Sequence, residues 1–128
     1  MREIEAKNVT ETICRLCMKA NYSLPEDIWN KLIDAHFDEE HGTVASFMLD
    51  VLIQNQDIAG YERIPICQDT GVACVFLEIG QDVHIVGNLI DAINQGVREG
   101  YEKGFLRKSV VADPLNRVNT NDNTPAMI

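Results

Sequence analysis

Apolar residues recur at helical spacing through the first sixty positions of the chain. Val9, Ile13, Leu16, Cys17 and Ala20 form one stripe, the rhythm of an amphipathic helix. Its start is expected near Asn8, with Glu11 placed to complete a capping box. Ser23, Leu24, Pro25 and Glu26 announce a second helix, capped by Ser23 or Leu24 with Pro25 in its first turn. Ile28, Trp29, Leu32, Ile33, Ala35 and Phe37 give it a broad apolar face, with His36 at the edge. Gly42 and Thr43 restart the chain. Val44, Phe47, Met48, Val51, Leu52 and Ile58 then make a third helix apolar around most of its circumference. That pattern predicts a central helix, ended by Gly60.

The rhythm changes after Gly71. Residues 71–79 are apolar on both faces, which predicts a strand sheltered on both sides. Gly80-Gln81-Asp82 is a turn, and Val83-His84-Ile85-Val86 reads as a second strand, so the two suggest a β-hairpin with His84 facing solvent. Asn88 caps a last helix, with Asp91 three residues on. Leu89, Ile93, Val97 and Tyr101 mark its stripe. Gly96, Gly100 and Gly104 lie along nearly one line of that helix. A helical glycine costs about 1 kcal/mol relative to alanine, so Gly96 and Gly100 predict a close backbone approach and Gly104 a C-cap. Residues 109–124 are polar and without period, yet Val110, Val111, Leu115 and Val118 argue for an ordered, packed loop. Pro125-Ala126-Met127-Ile128 reads as the start of a strand. The expected fold class is α+β: N-terminal helices, a β-hairpin, a further helix and a long polar loop, together a fragment of a larger catalytic domain.

Composition narrows the function. A chain of 128 residues is one domain at most. Its net charge of -9 and lack of a basic stripe argue against nucleic acid, and an anionic substrate would need a few well-placed arginines. No apolar window is long enough to span a membrane, and the N-terminus lacks a signal core, so a cytoplasmic protein is expected. Without that signal the sequons at Asn8 and Asn21 are discounted. Of four cysteines, Cys14 and Cys17 form a C-x-x-C pair inside a helix. Buried structural thiols are the favoured reading; a redox motif would need exposure and a lowered thiol pKa.

Chemistry concentrates in Ile64-Pro65-Ile66-Cys67-Gln68-Asp69-Thr70-Gly71. A thiol, an amide, a carboxylate and a hydroxyl stand together between a proline and a glycine, the composition of a turn presenting polar groups from a rigid element. Cys67 is a candidate soft ligand for iron–sulfur or zinc, or a buried thiol. Cys74, seven residues on, is a poor co-ligand for it. Asp69 is a candidate general acid or base whose pKa burial could tune, or an Asx-turn residue. Gln68 could donate to a substrate oxygen. Arg107 could bind a carboxylate in bidentate fashion, or face a helix dipole.

The 64–71 run resembles the cluster-ligand motif of class I, iron–sulfur-dependent fumarate hydratases and the related L-tartrate dehydratases. Ala92 to Val97, Leu106 to Val111, Asp113-Pro114-Leu115 and Asn119 to Pro125 agree in order, so the resemblance runs from about residue 44 to the end and is weaker over the first helices. It implies a hydro-lyase that interconverts fumarate and malate, as in the tricarboxylic acid cycle, with a 4Fe–4S cluster held by three cysteines and one iron open to substrate. Cys67 matches the first ligand; the other ligands lie outside this chain. Gln68 and Asp69 match dicarboxylate contacts, Asp69 also the position that handles the hydroxyl proton, and Arg107 a substrate-carboxylate arginine. The implied partners are a small dicarboxylate, the remainder of the alpha portion, a beta subunit or domain, and further copies of the chain, with no nucleic acid and no membrane. Residues 1–128 are then the incomplete N-terminal part of the alpha domain, inactive in isolation. Two further readings are an L-tartrate dehydratase alpha portion and a non-catalytic helical interaction or assembly module.

Overall fold

The computed structural model describes residues 1–128. In chain order it contains β1 (Arg2–Glu5), α1 (Ala6–Tyr22), α2 (Glu26–Asp38), α3 (Val44–Glu62), β2 (Val83–Val86) and α4 (Leu89–Lys103). The fold class is α+β, as expected.

The β-hairpin is not formed. β2 pairs in parallel with β1, Arg2 opposite Val83 and Glu5 opposite Val86. The apolar run 71–79 makes only an isolated parallel bridge, Cys74 to Met127. Alternation identified the strand at 83–86, with His84 exposed and Val83 and Ile85 half-buried, but it carries no information about a partner eighty residues away. The Arg2 amide bonds to the Asp82 carbonyl at 2.7 Å and sets the register.

β1 runs directly into α1, so the helix starts at Ala6 with Glu5 at the N-cap and no side-chain cap bond. Glu11 closes no capping box; it pairs with Lys7 one turn back. Pro25 itself is the N-cap of α2. Thr43 caps α3, its hydroxyl accepting from the Ser46 amide at 3.1 Å. α3 continues through Gly60 and stops at Arg63, whose backbone is left-handed (φ 55°).

The core lies between α1 and α4. Ile93 and Val97 are fully enclosed, and Ile13, Tyr101 and Leu106 complete the cluster. The glycine line explains this closeness. A Cβ at Gly96 would lie 2.6 Å from the Thr10 carbonyl, and one at Gly100 2.8 Å from the Cys17 Cβ. Gly104 is the C-cap of α4. Asn88 caps its start, accepting from the Asp91 amide at 3.1 Å. Cys17, on the stripe, is half-buried, and Cys14, beside it, is buried, in line with the reading of both as structural thiols. Burial pushes the Cys17 thiol up to about 11.

α3 is not central. α2 covers part of it, and Val44, Phe47, Met48, Leu52 and Ile58 remain exposed; α2 has no buried residue at all. The total accessible surface is 9180 Å², whereas a folded monomer of 14.4 kDa exposes about 6,800 Å². No helix is long and apolar enough to cross a membrane.

Candidate functional site

The 64–71 turn is tied down from four directions. The Ile64 amide bonds back to the Ala59 carbonyl at 3.1 Å and the Ile66 amide to the Asn21 carbonyl at 2.9 Å. Asn55 of α3 donates its side-chain amide to the Ile66 carbonyl at 2.8 Å. The Thr70 hydroxyl donates to the Arg107 carbonyl at 2.8 Å, and the Tyr101 hydroxyl to the Thr70 carbonyl at 2.7 Å. Burial raises the Tyr101 pKa above the ordinary tyrosine value, so the phenol stays a donor even in alkaline solution.

This latch carries Arg107 to the turn. Cys67, Gln68, Thr70 and Arg107 line one cleft of about 360 Å³, with Ile64, Pro65 and Phe105 as its apolar part. A volume of that size is at the small end of ligand pockets. Cys67 and Gln68 are exposed, and Arg107 joins none of the six ion pairs of the chain. An uncommitted guanidinium beside an amide and a thiol is a set of donors suited to an anion, in a protein that is otherwise acidic.

Asp69 is not among the residues lining this cleft. It is exposed rather than buried. Its Oδ1 accepts from the Gly71 amide at 3.0 Å, the Asx-turn arrangement, and Gly71 takes the positive φ (58°) that completes the turn. The Asp69 amide in turn donates to the Cys67 sulfur at 3.4 Å, so Cys67 and Asp69 are held in mutual register.

The long polar loop is ordered around Asn123. Its side chain is fully buried. Its Oδ1 accepts from the Ser109 and Val110 amides at 2.7 and 3.0 Å, and its Nδ2 donates to the Gly71 carbonyl at 3.0 Å. Asp122 braces the same corner. Burial would raise its pKa, but bonds from the Thr124 hydroxyl and amide and from Arg98 outweigh it and hold the carboxyl down at about 2. The sequence placed Thr70 in the polar turn, Tyr101 on the α4 stripe and Asn123 in the polar loop, and gave none of them a bracing part in the site. Tyr101 had a usable signal, since a tyrosine ending a buried stripe must find a partner for its hydroxyl; for Asn123 no local pattern exists.

No group of three or more His, Cys, Asp or Glu side chains is gathered anywhere in the chain for a metal ion. Cys67 is the one thiol at the cleft. Cys74 contacts the Met127 sulfur at 3.8 Å instead, and Cys14 and Cys17 sit in the α1–α4 interface. The donor set therefore fits one thiolate contact to an iron–sulfur cluster and does not fit a cluster held by this chain alone.

Residues 10–128 match the family model for fumarate hydratase (Fumerase); the chain belongs to that family. It is also 35% identical over 117 residues to the protein named "Putative L(+)-tartrate dehydratase subunit alpha" of Methanocaldococcus jannaschii, covering 90% of this chain and 40% of that relative. It is 28% identical over 116 residues to the L(+)-tartrate dehydratase alpha subunit of Escherichia coli K12, covering 91% of this chain and 38% of that relative. The chain thus spans about two fifths of the length of the curated relatives it matches. The match includes most of the helical N-terminal region as well as the turn.

Proposed function

We propose that the chain is the N-terminal part of the alpha portion of an iron–sulfur hydro-lyase that reversibly hydrates a four-carbon dicarboxylate, fumarate to malate. The observation that carries this reading is the convergence of Cys67, Gln68 and Arg107, from segments forty residues apart, on one cleft in a member of the fumarate hydratase family. Dehydration of L-tartrate is the second reading, favoured by the names of the relatives. Both reactions add or remove water on a small diacid, and the same three side chains serve either.

In this reading Cys67 is the chain's ligand to a 4Fe–4S cluster, whose other cysteines come from outside residues 1–128. When bound, such a cluster supplies a Lewis-acidic iron for substrate oxygens. Arg107 holds a substrate carboxylate through two parallel N–H bonds, which fixes the diacid's orientation as well as neutralising it. Gln68 donates its amide to a second oxygen. Asp69 handles the hydroxyl proton at Oδ2, the oxygen left over once Oδ1 is spent on the Gly71 amide. Assembly with the rest of the alpha portion, a beta subunit or domain, and further copies of the chain belongs to the same reading, as does a cytoplasmic setting.

The test is a hydration and dehydration assay on the anaerobically reconstituted assembly. The isolated chain is expected to show no turnover. Arg107→Met in the assembly should raise KM for the diacid about 10- to 100-fold, the worth of a charge-assisted bidentate contact. An assembly that turns over neither fumarate nor L-tartrate, or an Arg107→Met form with unchanged KM, overturns the reading.

A further inference from the structure

The run Val72 to Ile79 carries few backbone hydrogen bonds. Seven of its eight residues are apolar, Glu78 being the exception, the composition of a strand buried on both faces. Its only backbone bonds are Val75 N–H to the Met127 carbonyl at 2.7 Å and the Met127 N–H to the Ala73 carbonyl at 2.9 Å. In that parallel geometry the amides and carbonyls of Val72, Cys74 and Phe76 point to the opposite edge, where nothing meets them. On the Met127 edge the pairing stops at Val75. Side chains tell the same story. Ala73 and Val75 pack against the core, while Phe76 is 95% exposed. Beside the run lies an apolar groove of about 640 Å³, whose walls include Ile4, Leu16, Ala20, Val72 and Phe76.

We propose that residues 72–79 are a sheet strand completed by an extended β-strand, apolar on both faces, from the part of the alpha subunit that the match to the relatives does not span. The inference rests on reading the chain as part of that longer subunit. Three facts favour this occupant. The relatives carry about three fifths of their length beyond the match. The chain's accessible surface of 9180 Å² exceeds that of a monomer of its mass by about 2,300 Å², well above the roughly 800 Å² that a standard interface takes from one partner. A strand answers both deficits here at once, because it supplies ladder hydrogen bonds and covers apolar side chains, whereas a docking helix would leave the amides unpaired.

The test uses this chain with the unmatched portion of the Methanocaldococcus jannaschii alpha subunit, co-expressed and isolated as a complex. Backbone hydrogen exchange is read across 72–79, free and bound. Amides from Phe76 to Ile79 should exchange freely in the chain alone, and every second one should slow by about 100-fold or more in the complex. The alternation of slowed positions shows which edge is used. Phe76→Asp should leave the thermal melt of the free chain unchanged, since that ring is almost wholly exposed, and should abolish the complex. Absence of a complex, a complex whose 76–79 amides still exchange freely, or the same protection arising from self-association of this chain alone overturns the proposal. Protection in a complex that turns over neither diacid supports it, and sinks only the functional reading.

Discussion

A methyl group added at Gly100 should separate the two helices that make the core. The ideal Cβ falls 2.8 Å from the Cys17 Cβ and 2.9 Å from the Cys14 carbonyl oxygen. Carbon atoms rest at about 3.5–4.0 Å, so α1 must retreat by about 0.7–1.2 Å at a point where backbone and Cβ atoms cannot swing away. A gap of that size forfeits a quarter to a half of the dispersion along the contact, and Ile13, Ile93, Val97 and Tyr101 all lie in that contact. Overpacking of this kind costs about 1–3 kcal/mol, against about 1 kcal/mol returned by alanine's helix propensity. Gly100→Ala is therefore expected to lose up to about 2 kcal/mol. Gly60 in α3 provides the contrast. A Cβ there meets the Gln56 Nε2 at 3.8 Å and the Tyr22 carbonyl at 3.9 Å, both ordinary contacts, so Gly60→Ala should gain about 0.5–1 kcal/mol. Urea denaturation followed by far-UV circular dichroism measures both. Gly100→Ala more stable than the parent, or a Gly60→Ala variant that loses as much as Gly100→Ala, would refute the reasoning.

Three further outcomes are expected. Asn123→Ala removes the partner of two amides and one carbonyl around a fully buried site, and should cost about 3 kcal/mol with loss of exchange protection over 107–124, read by mass spectrometry. The Asp122 carboxyl is held at about 2 against an ordinary 3.8; the unfolded chain binds its proton first, so about 2 kcal/mol of stability present above pH 4 is lost as pH falls toward 2. In Asp122→Asn that part of the acid sensitivity of urea midpoints should vanish. With iodoacetamide at pH 8, Cys67 and Cys74 should react and Cys14 and Cys17 should not, since both lie in the helix interface and a thiol pushed up to about 11 holds about 100-fold less thiolate than an ordinary one. Rapid labelling of Cys17 would restore the redox reading.

What the sequence displayed was local. The Asn88 cap and the glycine line of α4 each rest on contacts within a helix or between two regular helices, and both are found in the structure; of the α1 stripe, Ile13 is buried and Val9 and Cys17 half-buried, while Leu16 and Ala20 stay exposed. The hairpin failed because strand identity is written in alternation, whereas strand partnership is decided by long-range closure, here by β1. α3 failed for a related reason. Circumferential apolarity records that a helix is to be covered, and the covering is only partly supplied by residues 1–128. At the site, residue types pointed to Cys67 and Arg107 separately. No spacing rule joins positions 67 and 107; the Thr70–Arg107 bond and the Tyr101 latch do so, and both are tertiary. Of the two readings open for Asp69, the structure shows the Asx-turn geometry, exposed, because the Gly71 amide lies within reach of its carboxylate and no apolar element covers it.

The central claim is that the Cys67 sulfur anchors an iron–sulfur cluster. Its most direct test is anaerobic iron and sulfide analysis of the complete assembly carrying either Cys67 or Cys67→Ser. The parent should hold roughly four irons and four sulfides per alpha portion, and the serine form should lose both the brown colour and the hydration of fumarate or dehydration of tartrate. A serine form that keeps its cluster and its turnover would contradict the account.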